Sequence, residues 1–137
     1  MKRKKNHYLQ YLILFIIILS CSSLIYYPLK TKKLNQKTRT MMLQLQRALL
    51  AYHEREEVYV PQTPRKGGEL VDILKQSEDL KEPILNVFSN EPFKKGSVKD
   101  YIIYRVEGEN FDRYHLSLTL PSEPKPLILF ESPPEEN

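Results

Sequence analysis

The stretch YLQYLILFIIILSCSSLIYYPL, residues 8–29, contains no charged side chain. This stretch decides the fold that is expected for the rest of the chain. At about 1.5 Å per helical residue, it spans roughly 33 Å and can cross a hydrocarbon core of about 30 Å. Its centre is continuously apolar, and tyrosines stand near both ends, where amphipathic rings favour the headgroup layer. The remaining chain is too short and polar to bury such a helix in a soluble core. The sequence therefore predicts a transmembrane helix over residues 8–29, with the lipid bilayer as a partner.

Two other interpretations of this segment involve processing. A cleaved signal peptide has an apolar core of about 7 to 15 residues followed by a small-residue cleavage site, and no such site follows here. Leu19-Ser20-Cys21 resembles the end of a bacterial lipoprotein box, in which the cysteine is lipidated, although the apolar run continues through residues 22–29. We expect an uncleaved anchor with Cys21 as a small apolar residue of the helix, and lipidation of Cys21 is the open alternative.

Charge is divided unevenly along the chain. Residues 1–39 hold nine basic residues and no acidic one, so residues 40–137 hold 12 basic and 17 acidic residues, a net charge of −5. An acidic domain lacks the positive face that neutralises phosphates, which argues against nucleic acid as a partner.

The orientation of the span is not decided by its flanking charges, because four basic residues precede it and five follow it in residues 30–39. A short basic N-terminus directly before the span is typical of a signal anchor. We therefore expect residues 1–7 to form a cytoplasmic tip and residues 30–131 to form an extracytoplasmic domain at the inner membrane. Residues 30–39 would then lie against anionic headgroups, each basic side chain contributing about 1 kcal/mol near the surface, and a solvated helical face explains them equally well.

The remaining sequence predicts an α+β fold that begins with a long helix. Apolar residues recur at spacings of three and four between residues 42 and 52, so one helix is expected from about Tyr8 to Glu56, bent near Pro28. Prolines and glycines predict a loop over residues 58–68. A short amphipathic second helix is expected over residues 70–80.

The C-terminal third changes to the period of a strand. Residues 114–120 alternate apolar and polar side chains, and residues 101–106 and 127–131 supply neighbouring strands. The simplest arrangement is a three-stranded antiparallel meander whose leucine face packs against the amphipathic half of the long helix. Residues 83–99 are predicted to be a packed loop, and residues 132–137 a disordered acidic tail.

Two local segments and the order of the elements carry a family resemblance. Residues 43–53 are similar to the end of a pseudopilin helix before its proline-containing loop, and residues 90–93, Asn-Glu-Pro-Phe, are similar to the turn before the first pseudopilin strand. The chain as a whole resembles type IV pilins and type II secretion pseudopilins. The resemblance implies a non-enzymatic structural or assembly component of a secretion or pilus system, with pilin-like subunits or other membrane and envelope proteins as partners.

One part of the family pattern is missing. Prepilins have a glycine before the apolar segment and a glutamate a few residues into it, whereas no glycine precedes residues 8–29 and no acid lies within them. Cleavage by a prepilin peptidase is therefore not expected. A signal-anchored or lipid-anchored envelope module, one that binds or scaffolds without forming filaments, is the alternative function.

Residues that could carry chemistry are few and scattered. His7, His53 and His115 belong to different predicted elements, and no phosphate-binding, metalloprotease or zinc motif is present. We expect no catalytic, cofactor-binding or metal-binding residue, no cofactor, no small-molecule substrate and no enzymatic activity. The oxygen-rich turn at residues 107–112 offers ligands for calcium, as in the C-terminal loops of some pseudopilins, and a polar hairpin turn is the favoured interpretation.

Overall fold

A computed structural model describes residues 4–61 and 65–132. Met1–Gln36 and Lys37–Asn137 are two compact units. The helices are α1 (Lys4–Glu56) and α2 (Gly67–Gln76). The strands are β1 (Arg65–Lys66), β2 (Leu85–Asn86), β3 (Glu91–Pro92), β4 (Ile102–Glu107), β5 (Arg113–Leu118) and β6 (Ile128–Glu131). The α+β class is confirmed. The tail that was predicted to be disordered, residues 132–137, lies outside the described residues except for Ser132. The N–H of Ser132 donates to the carbonyl of Tyr114, and the hydroxyl of Ser132 accepts from the N–H of Tyr114, both at 3.2 Å.

The predicted long N-terminal helix is confirmed as α1. It ends where Glu57 takes a left-handed φ of 61°, with its N–H donating to the carbonyl of His53 at 2.8 Å. In the second unit, Met42, Leu45 and Leu49 are at most 1% exposed, so the predicted apolar face is the face that packs into the core. The bend near Pro28 stays a prediction.

The predicted meander is present, but the prediction of three strands was wrong. The sheet has four antiparallel strands in the order β1-β4-β5-β6. Strand β1 lies in the predicted loop 58–68 and pairs Arg65 with Tyr104. A strand of two residues shows no alternation of side chains, so periodicity does not reveal it. Residues 83–99, predicted to be a packed loop, also contain the small β2–β3 pair.

The sheet has one buried face and one outer face. Its register places Tyr104 opposite Leu116 and Leu116 opposite Phe130 on the buried side. Tyr104 is fully buried, and its hydroxyl donates to the carbonyl of Val60 at 2.8 Å. Burial is the main cause that raises the pKa of Tyr104 far above its ordinary value, so the group stays a neutral donor. This bond ties the segment after α1 to the centre of the sheet.

Helix α2 begins at a glycine pair that brings it against β4 and the preceding loop. The carboxylate of Asp100 accepts hydrogen bonds from the backbone N–H groups of Gly67 at 3.1 Å and Gly68 at 2.8 Å. A Cβ on Gly68 would lie 2.0 Å from the carbonyl oxygen of Lys94. Only a hydrogen atom fits between the two backbones, so α2 can pack this closely because residue 68 has no side chain. The N-terminus of α2 is capped by Asp100, which lies more than thirty positions away in the sequence.

Residues 85–99 are held together from inside by Asn86, which is fully buried. Its Nδ2 donates to the carbonyls of Val98 at 3.1 Å and Lys99 at 3.3 Å, and its Oδ1 accepts from the N–H of Phe88 at 3.0 Å. One side chain therefore satisfies backbone groups of this connection that lie outside the short β2–β3 pair.

Replacement of Asn86 with alanine is expected to lower the free energy of unfolding by about 2–3 kcal/mol, because three backbone groups lose their partner in a buried setting. Urea unfolding of the full chain in detergent micelles, followed by the near-ultraviolet signal of the tyrosines, measures the change. Asn110, which is exposed and whose side chain forms no hydrogen bond among the described residues, supplies the control Asn110→Ala, which should leave the midpoint unchanged. An unchanged midpoint for Asn86→Ala would contradict the network.

The ends of α1 and α2 are joined by Asp79. Its carboxylate accepts from Arg55 Nη2 at 2.8 Å and from Ser77 Oγ at 2.6 Å. The hydrogen bond from Arg55 is the largest cause that lowers the pKa of Asp79, supported by Ser77 and opposed by burial. Because the folded pKa lies below the unfolded one, the stabilisation is present above the unfolded value of about 3.9 and is lost as pH falls through the folded value.

We therefore expect Asp79→Asn to destabilise the fold modestly at pH 5 to 8, with a difference from the wild type that shrinks below about pH 4. Urea unfolding at pH 7 and pH 3 measures the two differences. Exposed Glu123 provides the control Glu123→Gln, which should leave the midpoint unchanged at pH 7. A destabilisation that is equal at pH 7 and pH 3 would count against a role for the Asp79 charge.

Candidate membrane-facing helix and outer sheet face

The first unit presents an apolar surface. The twelve leucine, isoleucine and phenylalanine side chains from Leu9 to Leu29 are each 50–74% exposed. The helix is long and apolar enough to cross a membrane, and its most apolar window has no buried side chain. A helical segment whose described apolar side chains are exposed on every side is expected to be covered by lipid or by other helices.

The three serines within this apolar stretch are satisfied by the helix itself. The hydroxyls of Ser20, Ser22 and Ser23 donate to the carbonyl three residues earlier, at 2.8–2.9 Å. Unpaired hydroxyls are costly in hydrocarbon, so this arrangement suits a lipid environment. Cys21, the single cysteine of the chain, is a free thiol exposed on the same helix.

The outer face of the sheet carries a polar cluster centred on His115. Its Nδ1 is 3.0 Å from Glu131 Oε1, and its Nε2 is 3.3 Å from Glu107 Oε2. Arg105 stands directly opposite His115 in the register. The side chains of His115, Glu107 and Glu131 are partly exposed, so the cluster links β4, β5 and β6 at the surface. The sequence did not predict it, because only the register brings both glutamates to His115.

An open depression of about 780 Å³ surrounds this cluster. Apolar side chains from the strands and the proline-rich corner line part of it, among them Ile103, Leu129 and Pro121. The mixture of apolar and charged walls is ordinary for an uncovered sheet face, and no set of convergent catalytic groups lines it.

The turn at residues 107–112 is held as a hairpin turn. Gly108 and Phe111 have φ values of 90° and 52°, and the carbonyl of Phe111 accepts from the N–H of Tyr59 at 2.9 Å. Glu107 is directed to His115, and Asp112 Oδ1 is buried without a hydrogen-bond partner in the structure. Within residues 4–61 and 65–132, no three His, Cys, Asp or Glu side chains are grouped to hold a metal ion.

The other histidine of the domain has a structural partner. The ring of His53 stacks on Tyr59 with 4.1 Å between centroids, and Tyr59 in turn contacts Tyr114 at 4.7 Å. His7 is exposed on the first unit. Among the described residues, no serine or cysteine is hydrogen-bonded to a histidine.

Comparisons of the chain with protein-family models, with curated proteins and with solved structures gave no match. The fold and the sites above are therefore the basis on which function is argued.

Proposed function

We propose that the chain is a non-enzymatic, membrane-anchored component of the pilin or pseudopilin kind, acting in the structure or assembly of a secretion or pilus system. The observation that supports the proposal most directly is that the two parts of α1 have different surfaces. Its first part exposes twelve large apolar side chains, and its second part buries a narrow apolar face in an α+β domain. A single helix thus serves as both the anchor and the backbone of the domain.

The domain supports the same proposal by its arrangement. After α1 come the short strand β1, then α2, and then the other strands of an antiparallel sheet whose inner face packs with α1 and α2 in one core. The outer face of its sheet is an open surface, lined in part by apolar side chains. Such surfaces suit packing against other subunits.

The anchor departs from a processed pilin, since no glycine precedes residues 8–29 and no acid lies within them. We propose that the chain keeps its basic tip and stays in the inner membrane, with the N-terminus in the cytoplasm and the domain outside it. A subunit that is not processed would act beside a filament or its assembly platform.

Orientation is the first property to measure. A reporter enzyme that is active only outside the cytoplasm, fused after Asn137, should be active, and one active only in the cytoplasm should be silent. The reverse pattern would rule out the pilin-like proposal, because the domain would then face the cytosol.

Partners can be captured through the exposed face of the anchor. A photo-crosslinking amino acid at Ile16 or Leu24, which are 56% and 74% exposed, should join the chain to small single-helix subunits or a polytopic assembly protein. The same amino acid at Val98, which is 62% exposed on the domain, is the matched control. Repeated capture of lipid alone from both anchor positions would contradict membership in such an assembly.

The alternative is a signal-anchored or lipid-anchored envelope module that binds or scaffolds without filaments. The exposed free thiol of Cys21 is the observation that favours its lipid-anchored form. Radiolabelled fatty acid incorporated into the wild type and absent from Cys21→Ser would favour this module. No incorporation would leave the uncleaved helix as the anchor.

A further inference from the structure

One face of α1 changes from apolar to basic where the uncharged span ends. Tyr26, Leu29, Lys33 and Gln36 follow each other at spacings of three, four and three, and so share a helix face. Together with Lys32 they line a shallow depression along that face. The depression therefore has an apolar end toward the span and a cationic end beyond it.

The exposure of these side chains fits a ligand with both kinds of surface. Tyr26 and Leu29 are 63% and 60% exposed, and Lys32 and Lys33 are exposed as well. Among the residues that the structure describes, neither lysine forms an ion pair. The first acidic residue of the chain is Glu54, so no carboxylate within helical reach competes for the two ammonium groups.

The position of Lys32 and Lys33 just beyond the end of the span indicates which kind of anion they would bind. A span that ends at Leu29 places the next turn of the helix at the depth of the headgroups, where phosphates are concentrated. Adjacent lysines are point charges suited to a phosphate, and an apolar side chain one turn earlier lies beside the start of the acyl chains.

We propose that Lys32 and Lys33 bind the phosphate of an anionic phospholipid whose acyl chains lie along Leu29 and Tyr26. The proposal rests on the membrane anchoring proposed above. It specifies which lipid the chain prefers. It also gives a specific ligand to two of the basic residues that follow the span. Gln36, on the same face, is placed to contact the headgroup from the far side.

The test uses the full chain in nanodiscs of phosphatidylcholine with one-fifth phosphatidylglycerol, followed by native mass spectrometry of the lipids retained after release into mild detergent. We expect the wild type to retain phosphatidylglycerol in preference to phosphatidylcholine. The double variant Lys32→Gln, Lys33→Gln should lose this preference by about 30-fold at low ionic strength, and added salt should weaken it in the wild type.

The control is Lys94→Gln, Lys95→Gln, which removes the same charge from an exposed pair on the domain and should keep the wild-type preference. Lys32→Arg, Lys33→Arg should keep it too, because the charge is retained. Equal retention of the two lipids by the wild type, or an equal loss in both glutamine variants, would overturn the proposal. Failure of anchoring itself is seen separately, as release of the wild-type chain from membranes by alkaline carbonate.

Discussion

Replacement of Ile18 with arginine is expected to remove most of the chain from the membrane fraction. Ile18 lies near the middle of residues 8–29 and is 57% exposed, so in a spanning helix the new charge would be placed in hydrocarbon. Exchange of an isoleucine for an arginine at the centre of a span costs about 3–4 kcal/mol of insertion free energy. That is more than a hundredfold in the insertion equilibrium. Alkaline extraction of membranes and quantification of the pellet measure the effect.

The control for this change is Val98→Arg, since Val98 is 62% exposed but belongs to the domain. It introduces the same side chain on an exposed apolar site outside the span, and the protein should stay in the pellet. Full retention of Ile18→Arg in the pellet would show that something other than residues 8–29 holds the chain to the membrane.

Replacement of Gly68 with alanine is expected to have the largest effect on the folding of the domain. The added Cβ would lie 2.0 Å from the carbonyl oxygen of Lys94, which is backbone and cannot rotate away. Relief requires α2 to move from the residue 94–95 segment, and that movement strains the bonds from Gly67 and Gly68 to Asp100. We expect a loss of at least about 3 kcal/mol in the free energy of unfolding. Urea unfolding of the full chain in micelles, followed by tyrosine near-ultraviolet dichroism, measures it.

Gly96 separates this steric effect from the general cost of replacing a glycine. Its φ is 80°, yet nothing lies within 4 Å of the Cβ position, so Gly96→Ala should cost only about 1 kcal/mol. Equal effects at Gly68 and Gly96 would mean that the close approach of α2 to the loop is not what docks the helix.

The membrane anchoring of the helix and the folding of the domain can be tested independently. Ile18→Arg tests the span without touching the core, and Gly68→Ala tests the core without touching the span. A chain that passes both tests but captures no subunit through its anchor would be a stable envelope module, which is the alternative function.

Elements with a repeating pattern were predictable from the sequence. The uncharged run 8–29 predicted the apolar part of α1, and the spacing of apolar residues over 42–52 predicted its buried face. The alternation of apolar and polar residues over 114–120 predicted β5. Periodicity works because every residue of a helix or strand repeats the same relation to the core, so many weak preferences add along the chain.

The contacts that only the tertiary structure decided are those between residues far apart in sequence. Strand β1 exists because two residues pair with β4, Asp100 caps a helix that begins at Gly67, and both glutamates reach His115 through the register. None of these residues has a local signature, since each depends on a partner brought near by the fold. Local pattern therefore determined the apolar segment, the long helix and the meander, and non-local backbone geometry decided the fourth strand, the docking of α2 and the polar cluster on the outer sheet face.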